Sequence, residues 1–396
     1  MAEWAAQAAA HGGWDAAGVR RRDAWLALLG AACDTPETCP QAMLPSRAAL
    51  AAHRDEGQVA LDVKRSFSMY DVHDRERRRV QLHAVVCGTL RRYPALHYYQ
   101  GFHDLASVVL LTLSGDEGEG VWPDDRTATT AQLAVDCIAL HVVRDAMAAN
   151  LEPVLGQLKI VRKVLRAADL PYALALERAF MPSQMVVALS WVLTLLTHEI
   201  ADVHSAQCIL DYVFTHGPGS ILYISAVLLL QHKEAVADAA HGEIEAMDMA
   251  QLHHTLAKVP PLDTDASRHE VLAAADALQR AYPLACPAVH APRILASCSV
   301  LFTETPHMST DARALEIAAL PASALVLDIE MTPQVPDVWA EKQSARVARV
   351  PRALVLRRLL PHLARRHPHP LFFLSSLSLL LGGSLLSVLL ALRLPP

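Results

Sequence analysis

The chain has 396 residues, is 53% hydrophobic, and carries 35 Lys+Arg against 41 Asp+Glu for a formal net charge of −6. That length holds two or three domains' worth of material, and the slightly acidic balance excludes a bulk basic footprint for nucleic acid. Aromatics are only 5%, with Ala and Leu supplying the apolar bulk, which favours helices over sheets.

Taken in chain order, MAEWAAQAAA at the start lacks a basic region and a compact apolar core, so no signal peptide is expected. Seven cysteines, an odd number without a CxxC pair, point to buried thiols in a reducing compartment rather than a disulfide framework or zinc site. RRRDAWLALLG (20–30) places Trp25 in an apolar helix, where a large aromatic is expected in the core. VALDVKRSF (59–67) carries Asp62 three residues before Arg65, one helical turn away. Arg75, Arg77, Arg78 and Arg79 form a basic cluster, read as a solvated face that is also suited to anionic lipid. Val80, Leu82, Val85, Val86 and Leu90 continue from it as an apolar helical stripe.

ALHYYQGFHD (95–104) then sets Gln100 between two tyrosines and Gly101, an uncharged amide in a crowded setting. Leu105, Val108, Val109 and Leu113 give another helical stripe, and SGDEGEGVWPDD (114–125) reads as an acidic loop. Leu133 to Val143 is helical again. MVVALSWVLTLL (185–196), after Pro182-Ser183, and SILYISAVLLL (220–230), after the breaker HGPG, fall short of the ~18 residues needed to span a bilayer. Both are expected to be buried core helices, with Trp191 inside. Ser267-Arg268-His269-Glu270 resembles a capping box opening a helix that stops at Tyr282 before Pro283. No run of alternating strands stands out, so the fold class is all-α.

Residues 284–350 lose periodicity and collect prolines, from Pro287 to Pro336, and read as a largely irregular spacer that would let the folded body swing from a membrane. A basic segment, 351–370, precedes LFFLSSLSLLLGGSLLSVLLAL (371–392). That last run holds no charge and at ~1.5 Å per residue reaches about 33 Å, the thickness of a bilayer core. Arg357, Arg358, Arg365 and Arg366 precede it and only Arg393 follows, which predicts a tail anchor with the main body in the cytosol.

Most enzyme motifs fail. There is no GxxxxGK phosphate loop, no GxGxxG after a strand and no GxSxG elbow. His198-Glu199-Ile200-Ala201-Asp202 approaches HExxH, but Asp replaces the second His, and His204 lies off the shared helical face that zinc needs. No metal site is expected.

Two motifs remain, VALDVKR and YYQG. In that order and at that separation they match V-x-x-D-x-x-R and Y-x-Q-G, and the pair resembles the TBC domain of Rab GTPase-activating proteins. RRRDAWLALLG resembles the family's opening element. PALHYYQGFHDL, FMPSQMVVALSWVLTLLTHEIADV, MAQLHHTLAKVP and the terminal apolar run are similar to a tail-anchored branch of it. The resemblance covers 15–283 plus the tail. The segment SFSMYDVHDRE after Arg65 departs from the pattern by lacking a nearby proline.

The resemblance implies a multi-helix domain that lends two groups to a GTP-loaded Rab GTPase. Arg65 is then an arginine finger for the charge building on the transferring phosphoryl group. Gln100 is a glutamine finger that accepts from the attacking water and donates to the phosphoryl oxygens. Asp62 would hold the guanidinium, and Gly101 would let the backbone approach the nucleotide. Tyr98 and Tyr99 either wall the site and contact the GTPase, or one of them belongs to the core. Lys64 cannot replace Arg65, since an ammonium lacks the planar fork. The protein would carry no cofactor, GTP and Mg²⁺ arriving with the partner, and would act at an endoplasmic reticulum or early Golgi membrane, without nucleic acid. The alternative is an inactive, membrane-anchored scaffold that binds Rab without stimulating it.

Overall fold

Helices supply the regular structure among the described residues of the computed structural model, which are 21–30, 50–114, 125–180, 186–240, 244, 248–302 and 316–327. In order they are α1 (Arg21–Leu28), α2 (Glu56–Val63), α3 (Arg75–Arg92), α4 (Phe102–Ser114), α5 (Asp125–His141), α6 (Glu152–Ala168) and α7 (Leu170–Phe180). Then follow α8 (Leu189–Thr194), α9 (Val203–His216), α10 (Ser220–Gln231), α11 (Lys233–Ala239), α12 (Met249–Leu256) and α13 (Asp265–Ala281). The β pairing among these residues is one isolated antiparallel bridge, Leu295 to Val326. The all-α expectation therefore holds for the described residues.

The apolar run at 220–230 becomes α10, buried on every side from Ser220 to Leu229 and packed chiefly against α6 and α13. A helix apolar all round belongs in the centre of a body this size. The other run, 185–196, is broken up: a 3₁₀ turn at Val186–Ala188 leads into the six-residue α8, which stops where Leu195 and Leu196 adopt left-handed φ of 50° and 67°. Both leucines are buried, and Trp191 sits in the core as expected. Trp25 is also buried, and its Nε1 donates to Asp211 Oδ1 of α9 at 2.7 Å beside Arg21, whose Nε lies 3.0 Å from both oxygens of that carboxylate. This pair ties α1 to the middle of the chain.

Three local expectations shift. Leu82, Val85, Val86 and Leu90 face the core, but Val80 is exposed. The capping box sits one turn earlier than the sequence suggests. Thr264 accepts from the backbone N–H of Ser267 at 3.1 Å, Ser267 Oγ accepts from Thr264 N at 3.3 Å, and α13 starts at Asp265. Arg268 is thereby inside the helix and buried, donating to Ser205 Oγ and the Leu262 carbonyl, both at 2.9 Å.

The third shift concerns the spacer. Its described parts, 284–302 and 316–327, are irregular yet docked, not loose. Val289, Ala291 and Leu295 are fully buried in the main core. A Cβ on Gly156 of α6 would stand 2.6 Å from Leu295 Cδ2, so a larger residue there would have to displace that leucine. Asp145 accepts from Ser299 Oγ at 2.5 Å and from Val300 N at 3.2 Å, and Arg144 donates to the Cys298 carbonyl at 2.7 Å. Lost periodicity removes helices, not burial: single apolar residues between turns still plug the surface of α6.

The acidic loop at 115–124, the basic segment 351–370 and the apolar run 371–392 lie outside the described residues, as does the whole second unit, Glu330–Pro396. Among the described residues no helix is long and apolar enough to cross a membrane.

Candidate functional site

α2 ends at Val63, and the chain turns at once, putting Arg65 just beyond the helix with its backbone N–H on the Asp62 carbonyl at 3.0 Å. Its side chain is 66% exposed, whereas the Asp62 side chain it binds is 0% exposed. The contact runs from Arg65 Nη2 to Asp62 Oδ1 at 2.5 Å. A buried carboxylate needs several donors to offset lost hydration. Asp62 has them: Gln58 Nε2 at 3.2 Å from the preceding turn of α2, and the Tyr98 hydroxyl at 2.9 Å on Oδ2.

Tyr98 is the first residue of the second motif, so this hydrogen bond joins the two motifs across 36 positions of sequence. Its backbone N–H is held as well, by Asp55 Oδ2 at 2.9 Å. Two residues on, Gln100 is exposed. Tyr99 divides from Tyr98 in role. It is buried in the core, its hydroxyl donating to the Leu193 carbonyl at 2.8 Å and its ring tilted against Phe102 at 5.9 Å. Burial raises the phenol pKa of both tyrosines, for Tyr98 with the Asp62 charge adding to it, so both keep their protons.

Gly101 has φ +113°, and a Cβ there would meet the Thr194 methyl at 2.6 Å. The glycine was expected to admit a nucleotide. The structure supplies an internal reason for glycine there: the YYQG turn presses against the end of α8 in a backbone conformation that side chains resist. Phe67 is also left-handed, φ 62°, yet its ring is buried, so packing holds the chain in that turn just after Arg65.

The basic cluster at the start of α3 is engaged with this loop. Arg79 Nε donates to the Ser66 carbonyl at 3.3 Å and Arg75 Nη2 to the Tyr70 carbonyl at 3.4 Å, while Arg78 Nε donates to His73 O at 3.3 Å. Arg77 remains exposed. Tyr70 in turn donates its hydroxyl to the Thr197 carbonyl at 3.1 Å. The segment after Arg65 is thus fastened from α3 on one side and from the end of α8 on the other. Nothing in the spacing of four arginines pointed to the backbone carbonyls that three of them bind.

Sequence reasoning weighed His198 only as a metal ligand and passed over His103. His103 Nδ1 lies 2.9 Å from the Tyr98 hydroxyl, and its Nε2 is 3.3 Å from Asp104 Oδ1. Asp104 Oδ2 is 2.8 Å from His198 Nδ1. Burial lowers the His103 pKa, while the hydrogen bond to Asp104 raises that of His198. His198 therefore belongs to this chain of polar groups, and Asp202 of the HExxH-like stretch caps α9, accepting from Ser205 N at 2.8 Å. Among the described residues no group of three His, Cys, Asp or Glu side chains is arranged to hold a metal ion.

The site is a surface arginine and a surface amide, each carried on a turn and braced from beneath by one buried carboxylate–phenol pair. Both exposed groups can donate hydrogen bonds, and the amide can also accept.

A family profile described as Rab-GTPase-TBC domain matches residues 20–236 of the chain. The chain is similar to "GTPase-activating protein gyp10" of Schizosaccharomyces pombe, 27% identical over 61% of this chain and 59% of that protein. It is equally similar to "TBC1 domain family member 20" of Bos taurus, 27% identical over 63% of this chain and 57% of that one. The chain thus spans under two thirds of the length of these relatives. The crystal structure of the Ypt/Rab-GAP domain of Gyp1p overlaps 66% of this chain and 81% of its own at a TM-score of 0.47 and 17% identity.

Proposed function

The chain belongs to the Rab-GTPase-TBC domain family, and from that premise we propose that it accelerates GTP hydrolysis on a Rab-family small GTPase by lending it Arg65 and Gln100. It completes a partner's catalytic centre rather than turning over a substrate of its own, and the nucleotide and Mg²⁺ come with the partner. The name of the Schizosaccharomyces pombe relative, a GTPase-activating protein, supports the activity. The observation that carries the residue assignment is the Tyr98–Asp62 hydrogen bond at 2.9 Å, which braces the Arg65 turn and the Gln100 turn on one frame while both side chains stay exposed.

The mechanism follows from charge. As the γ-phosphoryl group leaves, charge spreads over its oxygens, and a guanidinium supplied from outside stabilises that state by a factor of ~10³–10⁵. At 1.36 kcal/mol per tenfold this is about 4–7 kcal/mol. Arg65 holds Asp62 through one nitrogen, which leaves the rest of its fork to meet phosphate oxygens. Gln100 orients the attacking water through its carbonyl and reaches the phosphoryl group through its NH₂, which a carboxylate could not do without repulsion.

The test is single-turnover GTP hydrolysis by a panel of Rab proteins with the wild-type chain, then with Arg65→Ala, Arg65→Lys and Gln100→Ala. Stimulation by wild type should collapse in all three variants. Stimulation that survives Arg65→Ala refutes the assignment, and binding to GTP-loaded Rab without stimulation supports a scaffold instead.

A tail anchor at 371–392 belongs to the same proposal, resting on the uncharged run and the arginines before it. It would concentrate the domain near membrane-bound Rab, at the endoplasmic reticulum or early Golgi. Deleting 371–396 should turn a membrane-pelleting protein soluble. Retention in the pellet after alkaline carbonate would overturn the anchor.

A further inference from the structure

The Tyr98 hydroxyl has one proton and two neighbours that want it. Asp62 Oδ2 and His103 Nδ1 both stand 2.9 Å away. A carboxylate can only accept, so the proton bridges to Asp62 only if the Tyr98 oxygen accepts from an Nδ1–H on His103. The other tautomer, with its proton on Nε2, would aim a lone pair at Tyr98 and draw that proton away from the carboxylate.

Two distances favour the first arrangement. His103 Nε2 lies 3.3 Å from Asp104 Oδ1, the longer of Asp104's two histidine contacts, whereas Asp104 Oδ2 has His198 Nδ1 at 2.8 Å. Asp104 makes its short contact through Oδ2, and the 3.3 Å approach of Oδ1 to Nε2 is a weaker claim on the single His103 proton than the 2.9 Å contact at Nδ1. Burial favours neutral His103, which has a single N–H to give. His198 gains its proton more readily beside Asp104, which suits that division of labour.

We propose that His103 is a positioning residue for Arg65: by donating Nδ1–H to Tyr98 it commits the phenol proton to Asp62, so the carboxylate grips the arginine through one nitrogen only. An Asp62 oxygen without its phenol would be free to pull the guanidinium into a two-point clamp, turning the fork inward and away from a docked phosphate. This rests on Arg65 being the residue lent to the GTPase.

The test uses the full chain and whichever Rab of the panel it stimulates most, measuring kcat and KM for His103→Leu, His103→Asn, His103→Gln and Tyr98→Phe. An asparagine amide can occupy the place of Nδ1–H, and a glutamine reaches toward Nε2. His103→Leu and Tyr98→Phe should each lower kcat about 10-fold with KM unchanged. His103→Asn should recover most of the rate, and His103→Gln should not. In an Arg65→Ala background His103→Leu should have no further effect, since it acts through that arginine.

The proposal is overturned if His103→Leu keeps kcat within about twofold of wild type, or if its loss persists undiminished without Arg65. It is equally overturned if Asn is no better than Gln. Should the leucine variant fail to fold, judged by its melting curve, the comparison of Asn with Tyr98→Phe decides: equal losses sink the idea, and a rescued Asn upholds it. If Arg65→Ala itself leaves stimulation intact, the functional assignment falls and this inference with it. If Arg65→Ala abolishes stimulation and His103 variants are silent, only the inference falls.

Discussion

Asp62 and Asp145 are equally hidden from solvent, each 0% exposed, yet they do opposite things. The partners of Asp145 all lead inward or along the docked extension: Gln157 Nε2 at 3.2 Å, Ser299 Oγ at 2.5 Å and Val300 N at 3.2 Å. The partners of Asp62 lead outward, through Arg65 to solvent and through Tyr98 to the turn that carries Gln100. One carboxylate closes a structure and the other holds an exposed arginine. The lesson is that burial of a charge does not declare its purpose; where its hydrogen bonds end does.

The contrast can be broken by substitution. Asp145→Ala strands three donors, of Gln157, Ser299 and Val300, and should cost about 3 kcal/mol of unfolding free energy in a denaturant titration. Rab stimulation per folded molecule should be unchanged, and a parallel fall in kcat would erase the distinction. A chain ending at Tyr282, which loses Ser299 and Val300 together with buried Leu295, should be destabilised further in the same direction.

Asp62→Asn should show the reverse pattern. The amide keeps the size and one acceptor, so folding changes little, but the charge-assisted hold on Arg65 is gone. A loss of about 10- to 100-fold in kcat is expected from hydrogen bonds of that class. A variant whose rate is intact and whose melting temperature falls would place Asp62 with Asp145. Gly101→Ala sharpens the same side of the comparison. A φ of +113° and a Thr194 methyl 2.6 Å from the new Cβ should cost about 1 to 2 kcal/mol. Adding Thr194→Ser, which removes that methyl, should recover only the part due to the clash.

The smallest effect is in pH. Burial holds His103, His216 and His232 below the ordinary imidazole range, and the Asp104 bond holds His198 above it. Unfolded histidines take up protons near pH 6.5. For the first three, stability is complete above that pH and falls as pH drops through it. For His198 the contribution is present below pH 6.5 and is lost as pH rises through its folded value. Melting temperature should therefore fall from pH 7.5 to 5.5, less steeply in His103→Asn and more steeply in His198→Asn. Identical slopes in all three proteins would contradict these assignments.

Much of the architecture was legible beforehand because helices write themselves locally. The spacing of Leu82, Val85, Val86 and Leu90, the all-apolar 220–230 run and the two core tryptophans each follow from neighbours within a few residues. Val80 and the cap at Thr264 were misread for the same reason: the edge of a periodic pattern is where local information is weakest. The docked extension was misread because two or three apolar residues among prolines leave no period to detect. At the site, the i to i+3 spacing predicted Asp62 under Arg65. It offered no signal for His103, for the His198–Asp104 contact, or for the arginines of α3 that bind the carbonyls beyond Arg65.

What the amino-acid order determined by itself was the helical composition, the pair of short motifs with their family, and the carboxylate one turn before the arginine, since all of these are properties of residue type and near spacing. Only the tertiary structure decided which tyrosine braces the site and which fills the core, which histidine nitrogen meets the phenol, and which buried aspartate serves the surface. Apart from the phenol–imidazole contact, five positions apart, those outcomes depend on groups 36 to 155 positions apart meeting within about 3 Å, and such meetings are set by how helices pack, not by what lies beside each residue along the chain.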